Sequence, residues 1–262
     1  MPDKDHEINR IAWNEMVEVH FKHPGYRVKE FLDGQQMLQS IEIEEVGDVE
    51  GKSLLHLFCQ FGLDTLSWAR QGATVTGVDI SDKSIEYANL LAEKVGIRAT
   101  FIRSDVVDLI GKIDAAFDIV FQSYGTLCWI SDLESWARVV AHYLKPGGLF
   151  YIVDLHPILS VVLEDEVSYF KRGPYRYKDS PDYCDKEYRI KNELVEWEHK
   201  LSDIINVLIE AGLTVEKVNE FDKTVDPGNE GWIKREGYYY PPDGPSRYPL
   251  MFSIRVRKPA QP

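Results

Sequence analysis

Between Gly51 and Asp154 the chain repeats one pattern, a short apolar run followed by an amphipathic stretch, and no other feature limits its possible folds so strongly. The apolar runs are Ser53–Phe58, Thr74–Ile80, Thr100–Arg103, Phe117–Phe121 and Leu149–Asp154. Between them, Asp64–Gln71, Asp82–Val95 and Asp132–Leu144 carry apolar residues at helical spacing, each opened by an Asp suited to a cap or first turn. Strands alternating with helices predict the α/β class, a parallel sheet covered by helices on both faces.

The flanks read differently. Glu7–Phe21 has Ile8, Ile11, Ala12, Trp13, Met16 and Val19 at mostly helical spacing and stops at His23-Pro24-Gly25. Val28–Gln39 reads as a second helix, ending in the acidic run Glu42-Ile43-Glu44-Glu45. Residues 1–50 therefore form a helical arm ahead of a domain spanning 51–262. After Asp154 the regularity breaks. Residues 158–200 read as an insertion rich in Tyr, Trp and charge, with alternation around Tyr183–Trp197 that predicts antiparallel strands or a hairpin. Leu201–Ala211 reads as a helix stopped by Gly212, and Leu213–Phe221 and Tyr248–Lys258 as strands joined by an aromatic loop at 226–247.

Composition narrows the function. The 262 residues carry 30 Lys plus Arg against 43 Asp plus Glu, a formal charge of −13, which gives no footprint for a phosphate backbone. Nucleic acid is not an expected partner. No run reaches the ~18 apolar residues of a membrane span, and the opening MPDKDHEINR lacks the apolar core of a signal peptide. Cys59, Cys128 and Cys184 are scattered without metal or disulfide spacing, and His6, His20, His23, His142 and His199 share no ligand spacing. A cytoplasmic protein without a metal, monomeric or homodimeric, is expected.

The chemistry concentrates in LLHLFCQFGLDTLSWARQGATVTGVDIS. A strand ends at a turn containing Gly62, a helix follows, and a second strand closes on Asp79, 17 residues beyond the glycine. In doubly wound sheets ligands bind outside the carboxyl ends of the strands, and an acid near this spacing reaches ribose hydroxyls. A nucleoside-containing ligand follows. One glycine and one Asp are also what any α/β turn can use for structure alone.

The whole segment from Ser53 to Asp154 resembles the class I S-adenosylmethionine-dependent methyltransferases. Where members usually carry an acid and three glycines at the first turn, this chain has His56, Phe58, Gln60 and Gly62; it retains Asp79, Asp105 and Lys145-Pro146-Gly147-Gly148. A subgroup with a Cys-Gln-Phe-Gly turn has a similar departure. The resemblance implies a Rossmann-like three-layer αβα fold whose seven-stranded, mostly parallel sheet has an antiparallel C-terminal strand. It also implies S-adenosylmethionine as cofactor. Asp79 would accept the ribose hydroxyls, Ile80 and Ser81 would border the adenine, and Asp105 would take its amino group with the Val106 amide on a ring nitrogen. Gln122 and Ser123 would face the methionine portion. His56, Gln60 and the turn residues Phe61 and Gly62 would lie along the amino-acid end, with Trp13, His20 or Tyr26 of the arm as further candidates.

Methyl transfer from a sulfonium is an in-line displacement that needs proximity, and a base only when the acceptor is protonated. Tyr124 and His156, just after the fourth and fifth strands, are the catalytic candidates; packing and a strand-to-Pro turn are their structural alternatives. The insertion and the aromatics Trp232 and Tyr238-Tyr239-Tyr240 are candidates to roof the cleft or to form a dimer contact. The expected function is methyl transfer to a small molecule. A nucleoside-binding protein without transfer activity is the alternative, and a nicotinamide-dependent oxidoreductase, which would usually show GxGxxG, is a weaker one.

Overall fold

The computed structural model describes residues 3–163, 167–226, 231–242 and 244–260. Parts of the predicted insertion (164–166) and of the aromatic loop (227–230 and 243) lie outside the described residues. Three helices come first, α1 (Lys4–His20), α2 (Val28–Leu32) and α3 (Ser40–Val46). α1 begins three residues before the predicted Glu7 because the Asp3 side chain caps it, accepting from the Asp5 N–H. The predicted helix over 28–39 is cut short at Leu32. Asp33 and Gly34, the latter at φ 97°, stop α2, and a capping box between Gln39 and Glu42 starts α3, so the acidic run lies inside a helix.

The alternating region follows as β1 (Ser53–Leu57), α4 (Leu63–Arg70), β2 (Thr74–Asp79), α5 (Asp82–Val95), β3 (Thr100–Arg103), β4 (Phe117–Ser123), α6 (Leu133–Tyr143) and β5 (Leu144–Leu155). The remainder is α7 (Ile158–Leu163), β6 (Tyr175–Tyr177), β7 (Leu194–Glu196), α8 (Leu201–Glu210), β8 (Thr214–Phe221), β9 (Ile233–Arg235), β10 (Tyr238–Tyr240) and β11 (Met251–Arg257). Seven strands form one sheet in the order β3-β2-β1-β4-β5-β11-β8. The first five are parallel, and β11 runs antiparallel to both β5 and β8. This is the expected fold class.

Period-two alternation along the strands sends side chains to opposite faces. Leu55, Val120, Ile152 and Ile254 pack with Trp136 and Val140 of α6 and Leu208 of α8. Leu54, Ile119, Tyr151 and Met251 pack on the other face with Trp68 of α4 and with Ile41 and Val46 of α3. A third cluster, with Val17, Phe31, Phe61, Leu66 and Leu91, joins α1 and α2 to α4 and α5. The arm is thus part of the core.

The antiparallel pairing expected around Tyr183–Trp197 is narrower than predicted: only β7 lies there, and its partner β6 lies upstream. The aromatic loop contains its own hairpin, β9 with β10. No described helix is long and apolar enough to cross a membrane.

Candidate active site

Every parallel strand hands over to its next segment on one edge of the sheet, and that edge collects most of the predicted site residues. The turn after β1 is the decisive local structure. Phe58, Gln60 and Gly62 have φ of 57°, 48° and 79°, so all three positions where glycines are usual remain left-handed although two carry side chains. At Gly62 the glycine is required, since a Cβ would stand 2.8 Å from the Phe101 ring. The strained path is held by what it bonds. The Gln60 N–H donates to Asp79 Oδ2 at 2.9 Å, and its amide Nε2 donates to the Tyr26 hydroxyl at 2.9 Å.

A left-handed non-glycine residue costs roughly 1–2 kcal/mol. Gln60→Gly should therefore leave stability within about 1 kcal/mol of wild type, relief of strain offsetting the lost amide bond. Gln60→Val, branched at Cβ, should lose about 2–3 kcal/mol. Urea denaturation of the two variants checks this, and equal losses would contradict it.

Asp79 is 9% exposed, and burial pushes its carboxyl up to about 6 against the pull of the Gln60, Ser81 and Ile80 amides and the Ser84 hydroxyl. Its Oδ1 accepts the Ser81 N–H at 2.8 Å. Ser81 caps α5 through Ser84 N–H, and Ile80 beside it is half-buried. Asp105 Oδ2 meets His6 Nδ1 of α1 at 2.6 Å, and its Oδ1 accepts the Val107 N–H at 3.2 Å; Val106 is buried in the core. Burial lowers the His6 ring pKa, but its bond to Asp105 wins and raises it overall.

Helix α1 lies along this edge. Besides His6, Arg10 pairs with Asp82, Asn14 accepts from the Ser81 hydroxyl at 2.7 Å, and His20 Nδ1 is 3.4 Å from the Gln60 amide. The buried His20 Nε2 bonds Asp182 at 2.8 Å. Tyr26 and Phe61 pack ring to ring at 5.1 Å, and Trp13 packs edge-on to Trp129.

His56 carries no charge. Burial pushes its imidazole down to about 3; Nδ1 bonds Thr65 Oγ1 at 2.8 Å, and the buried Nε2 has no hydrogen-bond partner among the described residues. The carboxylates near this end are two that the sequence did not assign to the site. Asp64, read only as a helix opener, accepts from Ser123 Oγ at 3.2 Å and is pushed up to about 6 by burial. Glu42 of α3 is fully buried, accepts the Tyr124 hydroxyl, and is pushed up to about 8 by burial and then by Asp64.

Four expectations need correcting. Gln122 does not turn its side chain to the cleft: it is 0% exposed, accepting Trp136 Nε1–H and donating to Thr126 Oγ1, both at 2.8 Å. Tyr124, at φ 42°, commits its hydroxyl to Glu42 and packs toward α3. His156 accepts the Ile158 N–H on Nδ1 at 3.1 Å, which in a neutral ring leaves the proton on Nε2 and removes a basic lone pair from the cleft side. Tyr238 likewise is buried against α3, its hydroxyl accepting the Ile41 N–H at 3.0 Å, and roofs nothing.

Beside the turn after β4 lies a cavity of about 210 Å³, bounded by Gly125, Thr126 and His156 and roofed by Trp197, His199 and Trp232. Asp154 shapes it, its oxygens accepting the backbone N–H groups of Gly125, Thr126 and Leu127. Asn9 of α1 fixes the roof by pairing with both backbone groups of Val195, at 2.7 and 2.8 Å. Among the described residues no group of His, Cys, Asp and Glu is arranged to hold a metal ion.

The donor set suits S-adenosylmethionine. Asp79 is an acid fixed at the strand end by the Gln60 and Ser81 N–H groups, as an acceptor for a ribose diol requires, and the left-handed turn preserves the backbone path that glycines give. The orphaned His56 Nε2 is a buried polar atom that a ligand would satisfy.

Comparison with known proteins agrees with this assignment. Residues 55–152 match the family described as methyltransferase domain. The ubiquinone biosynthesis O-methyltransferase of Escherichia coli O127:H6 is 33% identical over 105 residues, 40% of this chain and 43% of that protein. The chain therefore spans less than half the length of the curated relative it matches. A methyltransferase structure from Methanosarcina mazei superposes with a TM-score of 0.59 at 19% identity, covering 86% of this chain and 99% of that one. One from Clostridium acetobutylicum gives 0.58 at 17% identity, covering 84% and 88%. At these identities the two structures share the fold.

Proposed function

We propose that this chain belongs to the class I S-adenosylmethionine-dependent methyltransferase superfamily, a reading supported by the methyltransferase-domain match at residues 55–152, and that it transfers a methyl group to a small molecule. The observation that carries this reading is the turn after β1, which keeps its left-handed path at Phe58 and Gln60 and donates an N–H to Asp79. A side chain at such a position is retained against a backbone cost, as expected where a ligand uses the path.

When bound, S-adenosylmethionine supplies an electrophilic methyl on a sulfonium. The chain's residues bind and orient. Asp79 accepts the ribose hydroxyls, Asp105 the adenine amino group beside Ile80, Ser81 and Val106, and Asp64 opposes the α-ammonium in place of the neutral His56. Ser123 orients Asp64, while Phe61 and Gly62 shape the turn. The roof of Trp197 and Trp232 excludes water from the acceptor. A small acceptor is favoured by the covered cavity and by the charge of −13, which opposes nucleic acid.

Incubation with methyl-labelled S-adenosylmethionine and a small-molecule library tests the reading: label should pass to a small molecule, and label in nucleic acid alone or in no acceptor would contradict it. Asp64→Asn should raise KM for the cofactor about tenfold, the value of roughly one charged hydrogen bond, with kcat changed much less. An unchanged KM would remove Asp64 from the site.

A further inference from the structure

The last residue of α1, His20, is buried together with a carboxylate that methyl transfer leaves unused. His20 and Asp182 are both 0% exposed, and His20 Nε2 meets Asp182 Oδ2 at 2.8 Å. Asp182 belongs to the insertion; its other oxygen, Oδ1, accepts the Cys184 and Asp185 N–H groups at 2.8 and 2.9 Å. Burial raises this carboxyl, but the His20 ring and the two amides win and hold it below its ordinary value. It is therefore ionised and can only accept.

An acceptor-only group at one end sets the direction of the hydrogen bonds behind it. His20 Nε2 must carry the proton, so in the neutral ring Nδ1 keeps its lone pair. That lone pair faces the Tyr26 hydroxyl at 3.2 Å and the Gln60 amide nitrogen at 3.4 Å. Tyr26 gives its proton to Nδ1, and its oxygen receives the Tyr183 hydroxyl and the Gln60 Nε2–H, the latter at 2.9 Å. The Tyr26 hydroxyl then has its one donor and two acceptor positions filled. The two ends of an amide side chain are told apart by such partners. Here they draw the nitrogen of Gln60 to Tyr26 and His20 and leave Oε1, which has no donor among the described residues, as the end offered to a ligand. The backbone N–H of the same residue bonds Asp79 Oδ2, so this amide belongs to the turn beside the acid assigned to the ribose.

We propose that Asp182 and His20 are positioning residues for the cofactor: through Tyr26 they hold the Gln60 amide with its oxygen toward the α-ammonium of S-adenosylmethionine, as an acceptor in addition to Asp64. The proposal rests on the methyl-transfer reading above. An ammonium has three N–H donors, and the neutral His56 supplies no opposing charge, so a second acceptor has work that Asp64 alone does not complete. An amide turned the other way would set N–H against N–H. The insertion thereby bears on the cofactor through a chain of hydrogen bonds, without touching it.

Calorimetric titration with S-adenosylhomocysteine and with 5′-deoxy-5′-methylthioadenosine, which keeps the adenosine and the sulfur but has no amino-acid end, tests the proposal. In Asp182→Asn the retained Oδ1 still serves the Cys184 and Asp185 amides, while the new Nδ2 donates to His20 Nε2. The imidazole proton then moves to Nδ1, where it opposes the Gln60 nitrogen and turns the amide. S-adenosylhomocysteine should bind about tenfold more weakly, the value of one hydrogen bond to a charged group, and methylthioadenosine as before. Tyr26→Phe, which keeps the ring against Phe61, should shift the preference in the same direction and decides the matter if the Asn variant does not fold. In Gln60→Gly, which has no amide to aim, adding Asp182→Asn should change the binding of neither ligand. A purely structural role would weaken both ligands alike. Equal losses for the two ligands, an unchanged preference in both single variants, or an undiminished Asp182→Asn effect in the Gly background would overturn the proposal. A wild-type chain that binds neither ligand would instead overturn the methyl-transfer reading.

Discussion

Asp79→Ala is expected to abolish the stabilisation that S-adenosylhomocysteine gives the wild-type chain. A ligand at 100 times its dissociation constant stabilises a folded protein by about 2.7 kcal/mol, which is the thermal shift at stake. The expectation follows from the position of the carboxylate. It is buried at the end of β2, and its two oxygens accept the Gln60 and Ser81 N–H groups, which fixes it against the turn after β1. Alanine also leaves the Gln60 and Ser81 amides without their acceptor, at about 1–3 kcal/mol for each group that stays buried. Asp79→Asn is the gentler companion: it keeps one acceptor oxygen for the turn and replaces the other by a donor that cannot receive a ribose hydroxyl. Both variants should lose the shift in differential scanning fluorimetry. A shift that persists in a folded Asn variant would remove Asp79 from the ligand.

Glu42→Gln is expected to become more stable than wild type as pH rises. Glu42 is fully buried, and burial, then the neighbouring Asp64, raise its carboxyl from the ordinary value near 4.5 to about 8. Its folded state holds a proton that the unfolded chain releases, so its contribution is complete below about 4.5 and is lost as pH rises through about 8. Asp64 and Asp79, both raised to about 6 from 3.8, act in the same direction over a lower window. The glutamine variant lacks the Glu42 slope. It should match wild type within about 1 kcal/mol near pH 5 and exceed it by a few kcal/mol near pH 9, since each unit of pKa difference is worth about 1.4 kcal/mol. Urea denaturation at the two pH values checks the divergence, and parallel curves would show that Glu42 is ionised in the fold. Bound S-adenosylmethionine, through its ammonium, should flatten the wild-type slope by favouring the charged acids.

The fold was legible where local chemistry and hydrophobic period agree. The predicted α5 matches the observed Asp82–Val95 because Ser81 caps its start and the left-handed Gly96 ends it. The break at Asp33-Gly34 was missed because apolar spacing continues across it, and Gln39, which caps α3 through Glu42, is not a residue type that announces a helix start. The strand pairing of the insertion was missed because β6 and β7 are short and separated by a long irregular segment.

The site divides in the same way. Asp79 closes β2, so pattern alone brought it to the edge, while Asp105 was placed by the family resemblance. Glu42 reaches Tyr124 across 82 residues of sequence, and Asp64 reaches Ser123 across 59, contacts that only the packing of α3 and α4 against the sheet creates. Gln122 lies at the expected strand end, but the indole N–H of Trp136 draws its side chain inward, a choice set by a helix and invisible in the strand.

Equilibrium titration of the wild-type chain with S-adenosylhomocysteine and, in parallel, with NAD tests the central assignment most directly. Saturable binding of S-adenosylhomocysteine at one site per chain with none for NAD is the predicted result; binding of NAD alone, or of neither, would contradict it.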